Sequence, residues 1–160
     1  MRQAGRYMAE YRAIRAKASL LEICHQPELA CEVTLQPVDA LGVDAAIIFA
    51  DILLPFEPLD LGLSFAAGEG PVIARPIRSA ADVARLRELD PETDLGYVLE
   101  AIRKTVKALG GKVPLIGFAG APFTLASYAI EGSGTRNFVE TKRLMYQDPE
   151  TWNGLTELMA

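Results

Sequence analysis

Histidine and tryptophan each occur once in this sequence and cysteine twice, and no apolar run approaches membrane-spanning length. Each scarcity excludes something. Two cysteines, Cys24 and Cys31, in 160 residues do not make the disulfide framework of a small secreted scaffold, so free thiols are expected. A zinc site built from Cys24, His25 and Cys31 would be one ligand short, and adjacent Cys24 and His25 lack the usual zinc spacing, so no metal is expected. The longest apolar stretches, residues 45–50 and 115–118, fall far below the roughly 20 residues of a bilayer-spanning helix. Arg2, Arg6, Arg12 and Arg15 interrupt the region where the apolar core of a secretory signal would lie, so a cytoplasmic protein is expected.

The formal net charge of −5 leaves no basic excess for nucleic acid, and neither nucleic acid nor a membrane is expected as a partner. The positive charge is nevertheless uneven. Arg2, Arg6, Arg12, Arg15 and Lys17 crowd into the first seventeen residues, a local basic segment that suits a small anionic ligand.

Residues 11–21 lack Gly and Pro and are rich in Ala, Leu, Arg and Lys, which predicts a helix. A second should open at Pro27, with Glu28 in its first turn, and kink or end at Pro37. Gly42 is a helix stop, and residues 44–50 read as a strand buried on both faces, with Asp51 at its C-terminal end. The Pro- and Gly-rich residues 52–76 predict a long excursion with a short extended pair. Ser79 and Asp82 resemble a capping box for a short helix through Leu89. Asp94 should cap a longer one, with Val98, Leu99, Ile102, Val106 and Leu109 at helical spacing up to Gly110. Residues 113–118 form the second apolar strand, 121–131 a helix, Gly132-Ser133-Gly134 a break, and Asp148-Pro149 a further helix start.

Apolar strands alternating with helices imply a parallel sheet in an α/β fold. A (β/α)8 barrel takes ~250 residues. Two strong strands in 160 residues are too few for a sheet of normal size, so residues 1–160 are expected to be one partial α/β domain, a fragment of a larger fold.

Four places could carry chemistry. In Arg2-Gln3-Ala4-Gly5-Arg6 the two arginines would face one site if the backbone turns at Gly5, and guanidinium groups grip carboxylates bidentately while staying charged. The alternative is an ordinary solvated surface. Asp51 leaves a strand at its C-terminal end, where parallel α/β folds place active sites, or else it caps the next turn. Gly117-Phe118-Ala119-Gly120-Ala121-Pro122 joins strand to helix, so its glycines could admit a ligand near the backbone, although neither a dinucleotide fingerprint nor a phosphate loop is present. Tyr128 lies on the following helix, as a site residue or as core packing with a satisfied hydroxyl.

Taken together, Met1-Arg2-Gln3-Ala4-Gly5-Arg6-Tyr7, Glu10-Tyr11-Arg12, Phe49-Ala50-Asp51-Ile52-Leu53 and Gly117-Phe118-Ala119-Gly120-Ala121-Pro122-Phe123-Thr124-Leu125 resemble the uroporphyrinogen decarboxylase family in order and spacing. The similarity runs on through Leu35-Gln36-Pro37, Gly68-Glu69-Gly70-Pro71, Tyr128, Glu131-Gly132 and Met145-Tyr146. Ala9 and Phe123 depart from the family's frequent proline and tryptophan. The resemblance implies a (β/α)8 barrel, usually homodimeric, of which this chain is the first part. It also implies cofactor-free loss of four acetate carboxyl groups from uroporphyrinogen III, giving coproporphyrinogen III for porphyrin and heme biosynthesis. On this likeness Arg2, Arg6, Asp51 and Tyr128 are the catalytic residues. Arg2, Gln3, Ala4, Gly5, Arg6, Asp51 and Tyr128 would contact substrate, the arginines at its carboxylates and Asp51 at the pyrrole nitrogens. The alternatives are a cobalamin-dependent methyltransferase of the same superfamily, which the N-terminal arginine motif disfavours, and a non-catalytic tetrapyrrole-binding half-barrel.

Overall fold

Helix-forming sequence dominates the chain and strands are short. The computed structural model describes residues 3–65 and 70–160, so Arg2 and the Gly68-Glu69 part of the family-like motif lie outside the described residues. In chain order the elements are α1 (Ala9–Arg15), α2 (Leu20–His25), α3 (Pro27–Leu41), β1 (Ala46–Ile47), a 3-10 turn (Leu54–Phe56), β2 (Leu63–Phe65) and β3 (Pro71–Ile73). Then follow α4 (Ala80–Val83), α5 (Pro91–Asp94), α6 (Gly96–Leu109), β4 (Leu115–Ile116), α7 (Pro122–Glu131), α8 (Val139–Gln147) and α9 (Pro149–Leu158). They fall into two compact units, residues 1–51 with 91–118, and residues 52–90 with 119–160.

In the first unit the single helix expected over 11–21 is two. Ser19 closes a capping box, its Oγ accepting from Glu22 N–H at 3.2 Å while Glu22 Oε2 accepts from Ser19 N–H at 2.6 Å. That box restarts the chain as α2, so α1 stops at Arg15. Pro37 neither ends nor bounds α3, which runs on to Leu41 and stops at left-handed Gly42. A mid-helix proline removes one N–H and crowds the preceding turn. Here its ring is fully buried, in a helix that packs along α6, and packing outweighs local preference.

The α6 stripe also differs from expectation. Leu109 is buried as predicted, but Ala101 and Thr105 join it while Val106 is exposed. Small residues at that face let α6 approach α3, where Ala30 shares a cluster with Ala101 and Ile48. Both buried threonines satisfy their own hydroxyls, Thr105 donating to the Ala101 carbonyl and Thr34 to that of Ala30, each at 2.7 Å. A second cluster gathers Met8, Tyr11, Ile23 and Val33, with Ala4, Leu29 and Phe49 against it. Burying a side chain such as Ile23 contributes about 1.5–3 kcal/mol. β1 and β4 pair in parallel, Ala46 opposite Leu115 and Ile47 opposite Ile116. The paired segments are two residues long rather than seven and six, and Ile116 is half exposed rather than covered on both faces. β4 has β1 as its sole paired strand among the described residues.

In the second unit the Pro- and Gly-rich excursion does contain an extended pair, β2 antiparallel to β3. Left-handed Gly62 continues it, its carbonyl accepting from Ala74 N–H at 3.1 Å; a Cβ there would lie 2.9 Å from that of Ala74. The hairpin is fastened to the C-terminal end of α7 by Ile73 N–H to the Gly132 carbonyl (2.7 Å) and Ile77 N–H to that of Ala129 (2.9 Å). Ser79 caps α4 as expected, but that helix ends at Val83 rather than Leu89. Asp148 caps α9 through Thr151 N–H and Oγ1. Among the described residues no helix is long and apolar enough to cross a membrane.

Candidate functional site

The arginine segment is a folded loop rather than a loose basic patch. Gly5 turns the chain as anticipated, its carbonyl accepting from Met8 N–H at 2.9 Å, so Arg6 and Tyr7 occupy the tip of the turn. Arg12 Nη1 donates to the Arg6 carbonyl at 2.8 Å, and the Tyr7 hydroxyl donates to that of Gln3. Met8 and Ala4 anchor the loop in the cluster of Tyr11, Ile23 and Val33. With its backbone accounted for in this way, the loop presents the Arg6 side chain to solvent.

Gln3 points elsewhere. Its Nε2 donates to the Ala45 carbonyl at 2.5 Å and its Oε1 accepts from Ile47 N–H at 2.7 Å. Successive amides of a strand face opposite edges. Ala46 and Ile48 N–H go to Pro114 and Ile116 carbonyls, at 2.9 and 3.1 Å. Ile47 and Phe49 N–H point the other way and meet side chains, Gln3 Oε1 and, at 2.9 Å, Thr34 Oγ1. A lone threonine on an apolar helix face has no sequence signature that distinguishes it from filler.

Asp51 lies beyond this ladder. The pairing ends at Ile47 in β1 and the last backbone bond is that of Ile48, so Asp51 is half-buried in the irregular segment that follows rather than at the strand's last position. It shares a unit with Gln3, Ala4, Gly5 and Arg6, and Tyr128 belongs to the other. Tyr128 is on α7 as expected, half-buried, with its carbonyl accepting from Gly132 N–H at 3.0 Å where left-handed Gly132 ends the helix. The glycines before α7 separate. A Cβ on Gly120 would come 2.5 Å from Leu125 Cδ2 and 2.8 Å from its Cγ, so buried Leu125 fills the space expected for a ligand, whereas a Cβ on Gly117 meets nothing within 4 Å.

Cys24 and Cys31 are buried and form no disulfide. His25 stacks edge-on to Tyr97, ring centroids 4.7 Å apart. No group of three or more His, Cys, Asp or Glu side chains among the described residues could hold a metal ion.

Comparison with known proteins gives this arrangement its relatives. The family model described as uroporphyrinogen decarboxylase (URO-D) matches residues 1–160. A uroporphyrinogen decarboxylase of Carboxydothermus hydrogenoformans is 63% identical over 160 residues, 100% of this chain and 46% of that protein. Those of Sorangium cellulosum and Koribacter versatilis are 62% and 60% identical over 155 residues, 97% of this chain and 44% of each relative. The chain thus spans a little under half the length of these curated relatives. Matched from its first residue to its last, it belongs to the uroporphyrinogen decarboxylase family.

Proposed function

We propose that the full-length protein to which these 160 residues belong removes the four acetate carboxyl groups of uroporphyrinogen III to give coproporphyrinogen III in porphyrin and heme biosynthesis, without a cofactor. The observation carrying this reading is the match along the whole chain to relatives of that name at about 60% identity. The loop geometry agrees with it, since a hydrogen-bonded turn offers Arg6 to solvent in the unit that holds Asp51. On the same reading residues 1–160 are the first part of a (β/α)8 barrel that acts as a cytoplasmic homodimer.

The chemistry explains the residue types. Breaking the bond between an acetate methylene and its carboxyl group leaves an electron pair on carbon. A proton added first to a ring carbon makes the pyrrole cationic and able to take that pair. Carbon dioxide departs, a second proton converts the exocyclic carbon to methyl, and the ring proton is released, so each cycle replaces one carboxyl group by hydrogen. Asp51, a carboxylate facing the pyrrole nitrogens, stabilises the cation where the charge develops. Arg2 and Arg6 hold the remaining carboxylates and so orient the ring. By the family likeness Tyr128, Ala4 and Gly5 are further residues that contact substrate.

The test is an assay of the full-length protein with uroporphyrinogen. Four carbon dioxide molecules per coproporphyrinogen are expected, with kcat lowered about 10²-fold or more in Asp51→Asn. Absence of turnover would sink the reading, and undiminished kcat in Asp51→Asn would remove Asp51 from the chemical step. The 160-residue chain alone is expected to show little or no turnover.

A further inference from the structure

We propose that Arg12 is a positioning residue: its guanidinium ties the tip of the arginine turn to helix α1 and so sets the direction in which Arg6 meets a substrate carboxylate. The inference rests on the function proposed above and deepens it, giving a part to a residue of the family-like motif that the reaction itself leaves without one.

The turn has a fixed base and a tip that needs a second hold. Met8 N–H donates to the Gly5 carbonyl at 2.9 Å and closes the base, and the Met8 side chain is buried. Arg6 and Tyr7 lie beyond that bond and both are exposed, so closing the base does not stop the tip from swinging about it. Arg12 supplies the second hold. It stands on α1 one turn past Met8, whose carbonyl accepts its N–H at 3.1 Å, and long side chains on a helix lean toward the helix N-terminus. The Arg12 side chain accordingly reaches back six residues, and its Nη1 donates to the Arg6 carbonyl at 2.8 Å. Helix α1 is a firm support, because Tyr11, the neighbour of Arg12, is buried in the cluster of Met8, Ile23 and Val33. Arg12 itself is solvent-exposed. Its bond to the carbonyl replaces one to water and adds little to global stability. The effect is local, since two holds define the direction of the tip where one does not. A guanidinium grips a carboxylate through two parallel bonds only when the groups are aligned, so the direction of Arg6 governs affinity.

The test uses the full-length protein. In Arg12→Met, which keeps the apolar stem but loses charge and donors, KM for uroporphyrinogen should rise roughly tenfold while kcat stays within about twofold, the pattern of lost binding that ground and transition states share. Arg12→Lys, which retains a charge and a donor on a long stem, should keep KM within about threefold of the unsubstituted protein. The rise in Arg12→Met should persist when salt goes from about 0.05 to about 0.5 M, because salt screens the loss of a surface charge but does not restore a lost direction. Hydrogen exchange at Met8 N–H, the bond at the base of the turn, should quicken in Arg12→Met. Ile77→Val, a core truncation in the other unit, should lower the melting temperature without moving KM or exchange at Met8. An unchanged KM in Arg12→Met overturns the proposal. So does a rise that disappears at high salt, which would make Arg12 only an attracting charge. A raised KM with undisturbed exchange at Met8 overturns it too, by making Arg12 a direct ligand. If the unsubstituted protein shows no turnover, the functional reading fails, and exchange at Met8 alone then decides whether the tie exists.

Discussion

The two units hold their candidate residues by different means. Arg6 and Asp51, in the first, lie on irregular chain, and what fixes that chain is a handful of side-chain bonds to backbone, from Gln3, Thr34, Tyr7 and Arg12. Tyr128, in the second, lies on a ten-residue helix whose own backbone ladder positions it, with the far end tied to β3 through the Gly132 carbonyl. Irregular chain cannot satisfy its own polar groups, so each clamp carries a large share of local order, while a helix spreads that share over many equivalent bonds. The first unit should therefore be fragile at single residues where the second is not.

That contrast can be broken or sharpened in order of expected size. Met8→Ala removes the buried side chain under the arginine loop and should cost about 2–5 kcal/mol in urea unfolding of the full-length protein. It should also speed exchange of the Met8 and Arg12 amides, whereas Leu125→Ala in α7 should cost a similar amount without affecting the loop. Equal loosening by both would erase the distinction. Next, Thr34→Val leaves Phe49 N–H without its partner at near-constant volume and should cost about 1–3 kcal/mol. Thr141→Val in the second unit removes one of two bonds to the same Glu131 oxygen, at 2.9 Å, but retains that from Thr141 N–H, at 2.8 Å. It should cost less, about 1 kcal/mol. A larger loss from Thr141→Val than from Thr34→Val would contradict the argument.

The smallest effect is one of pH. The Thr151 hydroxyl, and then its backbone N–H, hold the Asp148 carboxyl below its ordinary range. A carboxyl lowered in the folded state stabilises above its unfolded pKa, and that contribution is lost as pH falls through the folded value. The melting-temperature advantage over Asp148→Asn, which still caps but does not titrate, should therefore shrink on acidification. Asp82 has the same sign, lowered by Arg78 N–H and then by the Ser79 hydroxyl, so the slope common to both proteins belongs partly to α4. An advantage that grows toward acid would reverse the assignment. Lys104 runs the opposite way, raised by Glu28 at 3.1 Å and then Glu100 at 3.4 Å, but those charges are solvent-exposed and contribute little to stability.

Signals confined to a few neighbouring residues were legible in the sequence. Gly42 and Gly110 end their helices in the left-handed conformation expected of them, and Ser79 and Asp148 cap because their partners stand three residues away. The arginine turn and the placement of Tyr128 on a helix were read by the same local logic. What escaped depends on contacts distant in sequence. Helix α3 passes through Pro37 because α6 packs along it. Gly120 is explained by Leu125 rather than by a ligand. The bond from Gln3 to Ile47 spans forty-four positions, and no periodicity announces it. The sequence-based expectation of long strands overshot for a related reason. Apolar run length reports burial, whereas strand length reports paired neighbours, and β1 and β4 have few among the described residues.

Helix α8, whose start no side-chain cap announces in the sequence, carries a consequence for the order of folding. Its first turn opens from left-handed Phe138 with no capping side chain of its own, and the amide of Thr141 is satisfied by Glu131, the last residue of α7. A helix of nine residues is too short to persist alone in water. Ten-residue α7 fares no better by that measure, so the two helices form together rather than in sequence, joined where Glu131 holds the Thr141 amide, and a substitution that weakens either should speed hydrogen exchange in both.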